Sequence, residues 1–123
     1  MVVLSSVPAL TASANQPYRS VPQNLTAEQE LLGAILTNNE VAAKVSDFLQ
    51  PEHFHHEAHR RIYQAALTMI ERGELADPVT LKPYFERDEA MQSAGGPAYL
   101  AQLAGAATSI ISAEHYARLI LDL

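Results

Sequence analysis

The chain has no cysteine among its 123 residues, which excludes a disulfide framework, a thiolate zinc site and a thiol nucleophile, and fits a reducing cytoplasm. Basic residues are also scarce. Eight Lys and Arg stand against fourteen Asp and Glu, a formal net charge of −6, and a chain so balanced lacks the basic face that direct binding of DNA or RNA requires. The only lysines are Lys44 and Lys82, preceded by Ala43 and Leu81, so there is no Gly-Lys-Ser/Thr phosphate loop, and no G-x-G-x-x-G turn occurs either. ATP hydrolysis therefore cannot reside in this sequence. A G-x-S-x-G elbow is missing too, which leaves a serine hydrolase unsupported. No apolar run approaches the roughly 20 residues that span a bilayer. The opening MVVLSSVPALTASA lacks the positive n-region of a signal peptide, since no Lys or Arg precedes Arg19. A soluble protein with no membrane partner is expected.

What is present is enough apolar content, 48%, for one domain with a real core. Residues 1–22 carry Pro8, Pro17 and Pro22 among Ser, Thr, Ala and Asn, with one charge and no period, and are expected to form a flexible tail. The domain is expected over 23–123, more acidic still once Arg19 is set aside. Thr26 and Gln29 have capping-box spacing, and Leu31, Leu32, Ile35 and Leu36 recur at helical intervals, which predicts a helix over 27–37. Asn38 and Asn39 are suited to cap a second, over 40–49, with Val41, Val45, Phe48 and Leu49 as its stripe before Pro51. The longest is predicted over 56–72, burying Ala58, Ile62, Tyr63, Ala66, Met69 and Ile70, with Gly73 at the left-handed C′ position. Thr80 as an N-cap predicts a helix over 80–88 that packs through Leu81, Tyr84 and Phe85 and keeps Pro83 in its first turn. Gly95-Gly96-Pro97 opens a fifth over 97–106, and Ser112 caps a sixth that the end of the chain truncates. Ile110-Ile111 is too short for a strand. The expected fold class is all-α, a compact bundle of about six short helices.

Two groups of residues invite a chemical reading. His53, His55, His56 and His59 cluster, and His55 and His59 are four apart, so a helix that began by residue 55 would turn both one way, as zinc-binding pairs do. The plainer reading, solvated or packing histidines and no metal, is preferred because a third ligand held in geometry is not evident. The glutamates fall mostly on polar helix faces. Glu28 is the exception: among Leu25, Thr26, Ala27 and Gln29 it is expected to bond within the helix cap instead of facing bulk water.

The stretch Pro22-Gln23-Asn24-Leu25-Thr26-Ala27-Glu28-Gln29-Glu30-Leu31-Leu32-Gly33-Ala34-Ile35-Leu36 resembles the start of bacterial replicative DNA helicases of the DnaB family. The likeness continues, in the family's order, through Pro51-Glu52-His53-Phe54, Ala58-His59-Arg60-Arg61-Ile62-Tyr63, Asp77-Pro78-Val79-Thr80-Leu81, Gly95-Gly96-Pro97-Ala98-Tyr99-Leu100 and Glu114-His115-Tyr116-Ala117-Arg118. His59 matches the family's Ala-His-Arg block, whereas His53, His55 and His56 stand where the family is more often acidic or aromatic. The resemblance implies the helical N-terminal domain, without its RecA-like ATPase motor, of a ring-forming homohexamer. Such domains pair into a collar that docks the C-terminal helicase-binding domain of primase and, in some lineages, a helicase loader. It implies no catalytic residue and no cofactor here, ATP and Mg being expected only in the absent motor, and a pairing hairpin that starts near the sixth helix and continues past Leu123. Tyr99, Tyr116 and Arg118 are the candidates for subunit or primase contact, since aromatic and Arg side chains often anchor interfaces; core packing is the alternative for the tyrosines. A free-standing helical adaptor, or a metal-dependent enzyme built on the histidines, are the competing readings.

Overall fold

A computed structural model describes the backbone of residues 16–106 and 110–122, with side chains over 25–106 and 112–122. Among the described residues the chain is all-helical: α1 (Gln16–Thr37), α2 (Glu40–Val45), a 3-10 turn (Pro51–His53), α3 (Glu57–Glu71), α4 (Pro78–Phe85), α5 (Glu89–Ala94), α6 (Ala98–Gly105) and α7 (Ile110–Asp122). The predicted all-α class holds, with one more helix than expected.

α1 is the axis of the bundle, packing most closely on α7 and α6 and also on α3 and α2. Its Leu31, Leu32 and Ile35 are fully buried and meet Val41, Val45 and Leu49, Ile62 and Tyr63 of α3, Leu81 and Phe85 of α4, Leu100 and Leu103 of α6, and Ala117 and Ile120 of α7 in one core. α3 follows its predicted bounds to within a residue, and its end is a Schellman closure. Gly73, at φ +78°, donates to Ile70 O at 2.9 Å while Glu74 donates to Met69 O at 2.9 Å.

Several boundaries differ, each for a local reason. α1 does not start at a capping box on Thr26; it runs through that position from Gln16, so residues 16–22 of the expected tail are helical, while residues 1–15 lie outside the described residues. Pro17 is tolerated in the first turn, where an amide N–H has no partner to lose. α2 stops at Val45, and residues 46–48 turn instead of extending it. Its Asn39 side chain does not cap it: the amide donates to Ile35 O and Ala76 O, each at 2.8 Å, and accepts from Ala76 N–H at 2.9 Å, tying the end of α1 to the loop before α4.

Asp77, not Thr80, is the N-cap of α4. Its carboxylate accepts from Thr80 N–H at 2.9 Å and Thr80 Oγ1 accepts from Asp77 N–H at 2.9 Å, which puts Pro78 at the first position and Pro83 inside the helix. Tyr84 does not pack with Leu81 and Phe85 but is 52% exposed. At about 100° per residue it sits some 80° from the middle of the Leu81–Phe85 stripe, the only stripe a helix this short turns inward. α5 was not foreseen; Asp88 caps it through Ala90 and Met91 N–H, and Met91 is its buried anchor. Gly95 and Gly96, at φ +118° and +73°, close α5, so Pro97 becomes the N-cap of α6 rather than its first residue. α7 begins at Ile110, which places Ser112 inside it rather than at its cap.

Candidate functional site

The side chains that sequence reading singled out separate into an interior group and an outer one. Glu28, on the core side of α1, is 1% exposed, and His59, in the first turn of α3, is 0% exposed. The carboxylate takes its bonds from across the bundle and not, as expected, from its own helix cap. Glu28 Oε2 accepts from His55 N–H at 2.6 Å and Oε1 from His56 N–H at 3.3 Å, and Oε1 lies 2.7 Å from His59 Nδ1. α3 has no side-chain cap of its own at His56. An anionic group from α1 closes the amides that lead into it, the position where a helix most favours negative charge.

The other ring nitrogen of His59, Nε2, lies 2.7 Å from the Tyr99 hydroxyl, which also accepts from Gln29 Nε2 at 3.1 Å. The His59 and Tyr99 rings are nearly parallel, with centroids 5.8 Å apart. Tyr99, in the first turn of α6, is 9% exposed, so the hydroxyl is spent on the interior. Burial raises its pKa, the Glu28 carboxylate adds to that, and the Gln29 bond partly opposes it. Burial likewise pushes the Tyr63 hydroxyl, which donates to Leu49 O at 2.8 Å, far above the usual tyrosine range.

The histidine cluster does not converge. α3 begins at Glu57, so His55 precedes the helix and is exposed while His59 is buried, and the two do not share a face. His53 Nδ1 accepts from Gln50 N–H at 2.8 Å and so belongs to the 3-10 turn. His56 packs against His59 with centroids 4.7 Å apart; partial burial lowers its pKa, and the neighbouring imidazole works in the same direction. Among the described residues no group of three or more His, Asp or Glu side chains is placed to hold a metal ion.

The outer candidates lie on α7. Tyr116 is half-buried, and Arg118 is exposed, with its guanidinium 4.7 Å from the centre of the Phe48 ring and 3.6 Å from Glu114. No hydrogen bond or ring contact joins Tyr99 to this pair among the described residues, so the three candidates do not form one site. Sequence reading missed an open groove of about 580 Å3 between α3 and α4, floored by Ala65 and Phe85 and flanked by Tyr84, with Arg61 on its rim pairing with Glu57 and Asp88, each at 3.0 Å. Tyr84 was the available signal, as an aromatic three residues from Leu81 that a short helix cannot bury together with Phe85. Gln29 was read as a cap partner and gave no sign of its contact with Tyr99, which lies 70 residues away.

Fold and site together define a helical module whose buried polar groups serve its own packing. The family model of the DnaB-like helicase N terminal domain matches residues 20–122, and the chain belongs to that family. It is 44% identical over 105 residues to the replicative DNA helicase DnaB of Rickettsia felis, an alignment that covers 85% of this chain and 21% of that protein. With the replicative DNA helicase DnaB of Geobacillus stearothermophilus it shares 36% identity over 102 residues, 83% of this chain and 22% of that one. The chain thus spans about a fifth of the length of the curated relatives it matches. Among solved structures, the N-terminal domain of DnaB helicase from Mycobacterium tuberculosis superposes with a TM-score of 0.72 at 34% identity, covering 80% of this chain and 70% of that one.

Proposed function

We propose that this chain is the non-catalytic collar domain of a cytoplasmic replicative DNA helicase, contributing to assembly of a homohexamer and docking the C-terminal helicase-binding domain of primase. The observation that carries the reading is the extent of the family match, residues 20–122, taken with the small share of each relative that the chain covers. ATP turnover and strand translocation then belong to a separate motor domain, and the acidic charge is no obstacle, because a protein-docking collar does not hold the phosphate backbone. Of the contact candidates, Tyr116 and Arg118 act from the surface of α7, and Tyr99 acts through the thin edge it leaves uncovered. A helicase loader is a further partner in some lineages.

The test is titration of the chain with the C-terminal domain of a primase, followed by calorimetry. It is run on the chain alone and on two copies joined in tandem, since a surface shared by paired subunits binds feebly as one copy. Saturable one-to-one binding to either form, weakened by Arg118→Glu with the helical circular dichroism unchanged, supports the reading. Absence of binding to both forms refutes primase docking.

A further inference from the structure

Glu28, His59, Tyr99 and Gln29 form a line of contacts that runs from the interior of the bundle to a half-buried side chain. His59 lies 2.7 Å from Glu28 Oε1 through Nδ1 and 2.7 Å from the Tyr99 oxygen through Nε2, and the Gln29 amide stands 3.1 Å from that oxygen. A carboxylate only accepts and a hydroxyl carries a single hydrogen, whereas an amide offers a donor or an acceptor according to which way it is turned. With one proton on the imidazole, Nδ1 donates to Glu28, the Tyr99 hydroxyl donates to Nε2, and Gln29 donates to the tyrosine oxygen. With a second proton, Nε2 donates to the tyrosine oxygen, the hydroxyl hydrogen swings round to Gln29, and Gln29 accepts through its carbonyl oxygen. All four groups are bonded in both arrangements. The added proton can rest on Nδ1 or on Glu28, within their 2.7 Å contact, without altering the bonds further out.

We infer that this line is a proton-driven toggle: uptake of one proton at the buried Glu28–His59 pair turns the Tyr99 hydrogen from His59 to Gln29 and turns the Gln29 amide over. The half-buried end of the line then reverses its polarity with pH while the buried bonds stay filled. One proton is bound from solvent, no other group gains or loses one, and rotation of a hydroxyl and of an amide completes the change. Water reaches the pair through the polar cavity of about 240 Å3 that Glu28 lines together with Glu52, His53 and His55. The groups facing the pair are few. His56 packs 4.7 Å from the His59 ring, and Arg60, also on the cavity wall, is held by Phe54 O and His55 O. Tyr99 comes from α6, and α7 brings Ile120 to the cavity. Positive charge on His53, His55, His56 or Arg60 opposes uptake, and the Glu52 carboxylate favours it. The toggle is independent of the docking role proposed above.

The experiment is nitrogen NMR of the 123-residue chain from about pH 5 to about pH 8, the span over which histidine ordinarily changes charge. The His59 ring and the Gln29 side-chain amide are followed together in the native protein, Gln29→Met, Tyr99→Phe and the double variant. In the native protein His59 is expected to pass between its one-proton and two-proton forms, and the Gln29 NH2 signals to move with the same midpoint. In Gln29→Met the hydroxyl hydrogen has no acceptor once His59 is doubly protonated. The His59 midpoint is then expected to fall by about one to two pH units, the weight of one stranded buried donor. In Tyr99→Phe there is no hydrogen to strand, so adding Gln29→Met should change the midpoint little. A His59 ring that keeps one protonation state across the range overturns the inference. So does a Gln29 amide that stays still or follows the midpoint of His55 or His56, or a Gln29→Met shift of equal size in both backgrounds. Where Gln29→Met does not fold, the native Gln29 amide signals decide alone.

Discussion

Removing the buried carboxylate altogether is a demanding perturbation of this fold. Glu28→Ala leaves three donors without their acceptor, the His55 and His56 amides and His59 Nδ1–H. An unsatisfied buried donor costs about 1–3 kcal/mol, so three of them together would cost about 3–9 kcal/mol. A polar cavity of about 240 Å3 lined by Glu28, Glu52, His53 and His55 lets water reach part of the site, so the lower range applies. The expected loss is about 3–4 kcal/mol, a large part of the roughly 5–15 kcal/mol that holds a domain together, and it lowers Tm by roughly 15–20 °C for a chain near 100 residues. Urea unfolding followed by circular dichroism measures it, with Tyr63→Phe as the internal standard. That change removes one buried hydroxyl from Leu49 O and should cost about 1–2 kcal/mol. A Glu28→Ala loss no larger than that of Tyr63→Phe would show that the carboxylate does not close these amides.

The other expectations concern single positions. Gly73→Ala should cost about 1–2 kcal/mol in the same unfolding assay, because φ is +78° while nothing lies within 4 Å of the added methyl group; an unchanged midpoint would deny the left-handed closure of α3. The lowered pKa of His56 means that the folded protein resists protonation there, so the unfolded chain takes up the proton first. Stability from this residue is therefore complete above the ordinary histidine value of 6.5 and declines as pH falls below it, through the folded-state pKa. His56→Gln, which keeps the backbone bond to Glu28, should flatten Tm against pH in that interval; an unaltered slope would refute the assignment.

How much was legible in the sequence depended on how local the deciding contact is. α3 could be read almost to the residue because fifteen residues repeat one apolar face and end on a glycine whose backbone does what glycine is suited to do. The short helices could not, since six or eight residues give too few periods. With α4 the choice between Asp77 and Thr80 turned on which of two good capping residues faces the other, and each in fact serves the other. α5, with Met91 as its one buried anchor, has no period to detect at all. Glu28 could be picked out as a carboxylate in apolar company, but its partners lie 27 to 31 residues further along, and spacing within a helix carries no information about them. Tyr99 could be chosen as an amphipathic anchor; that its hydroxyl is committed to His59 follows only from the way α6 starts beside α3.

These long-range bonds also explain how such a bundle holds its short elements. Helices of six to eight residues are unstable alone, because the cost of nucleation is spread over too few hydrogen bonds. The chain compensates with polar side chains that act in place of secondary structure between segments. Asn39, just past α1, closes both backbone groups of Ala76 before α4, and Glu28, near the middle of that helix, closes the amides before α3. α1 is thus pinned at its middle and at its C-terminal end to the starts of its neighbours, and through His59 and Tyr99 the pin at Glu28 reaches the start of α6 as well. Each pin ties the start of a following helix to α1, while the helix's own cap sets where it begins. A docking surface built from several short helices needs their relative positions fixed, and apolar contact by itself is the least directional way to fix them. The buried polar chain is therefore where a change in the interior would be felt at the surface.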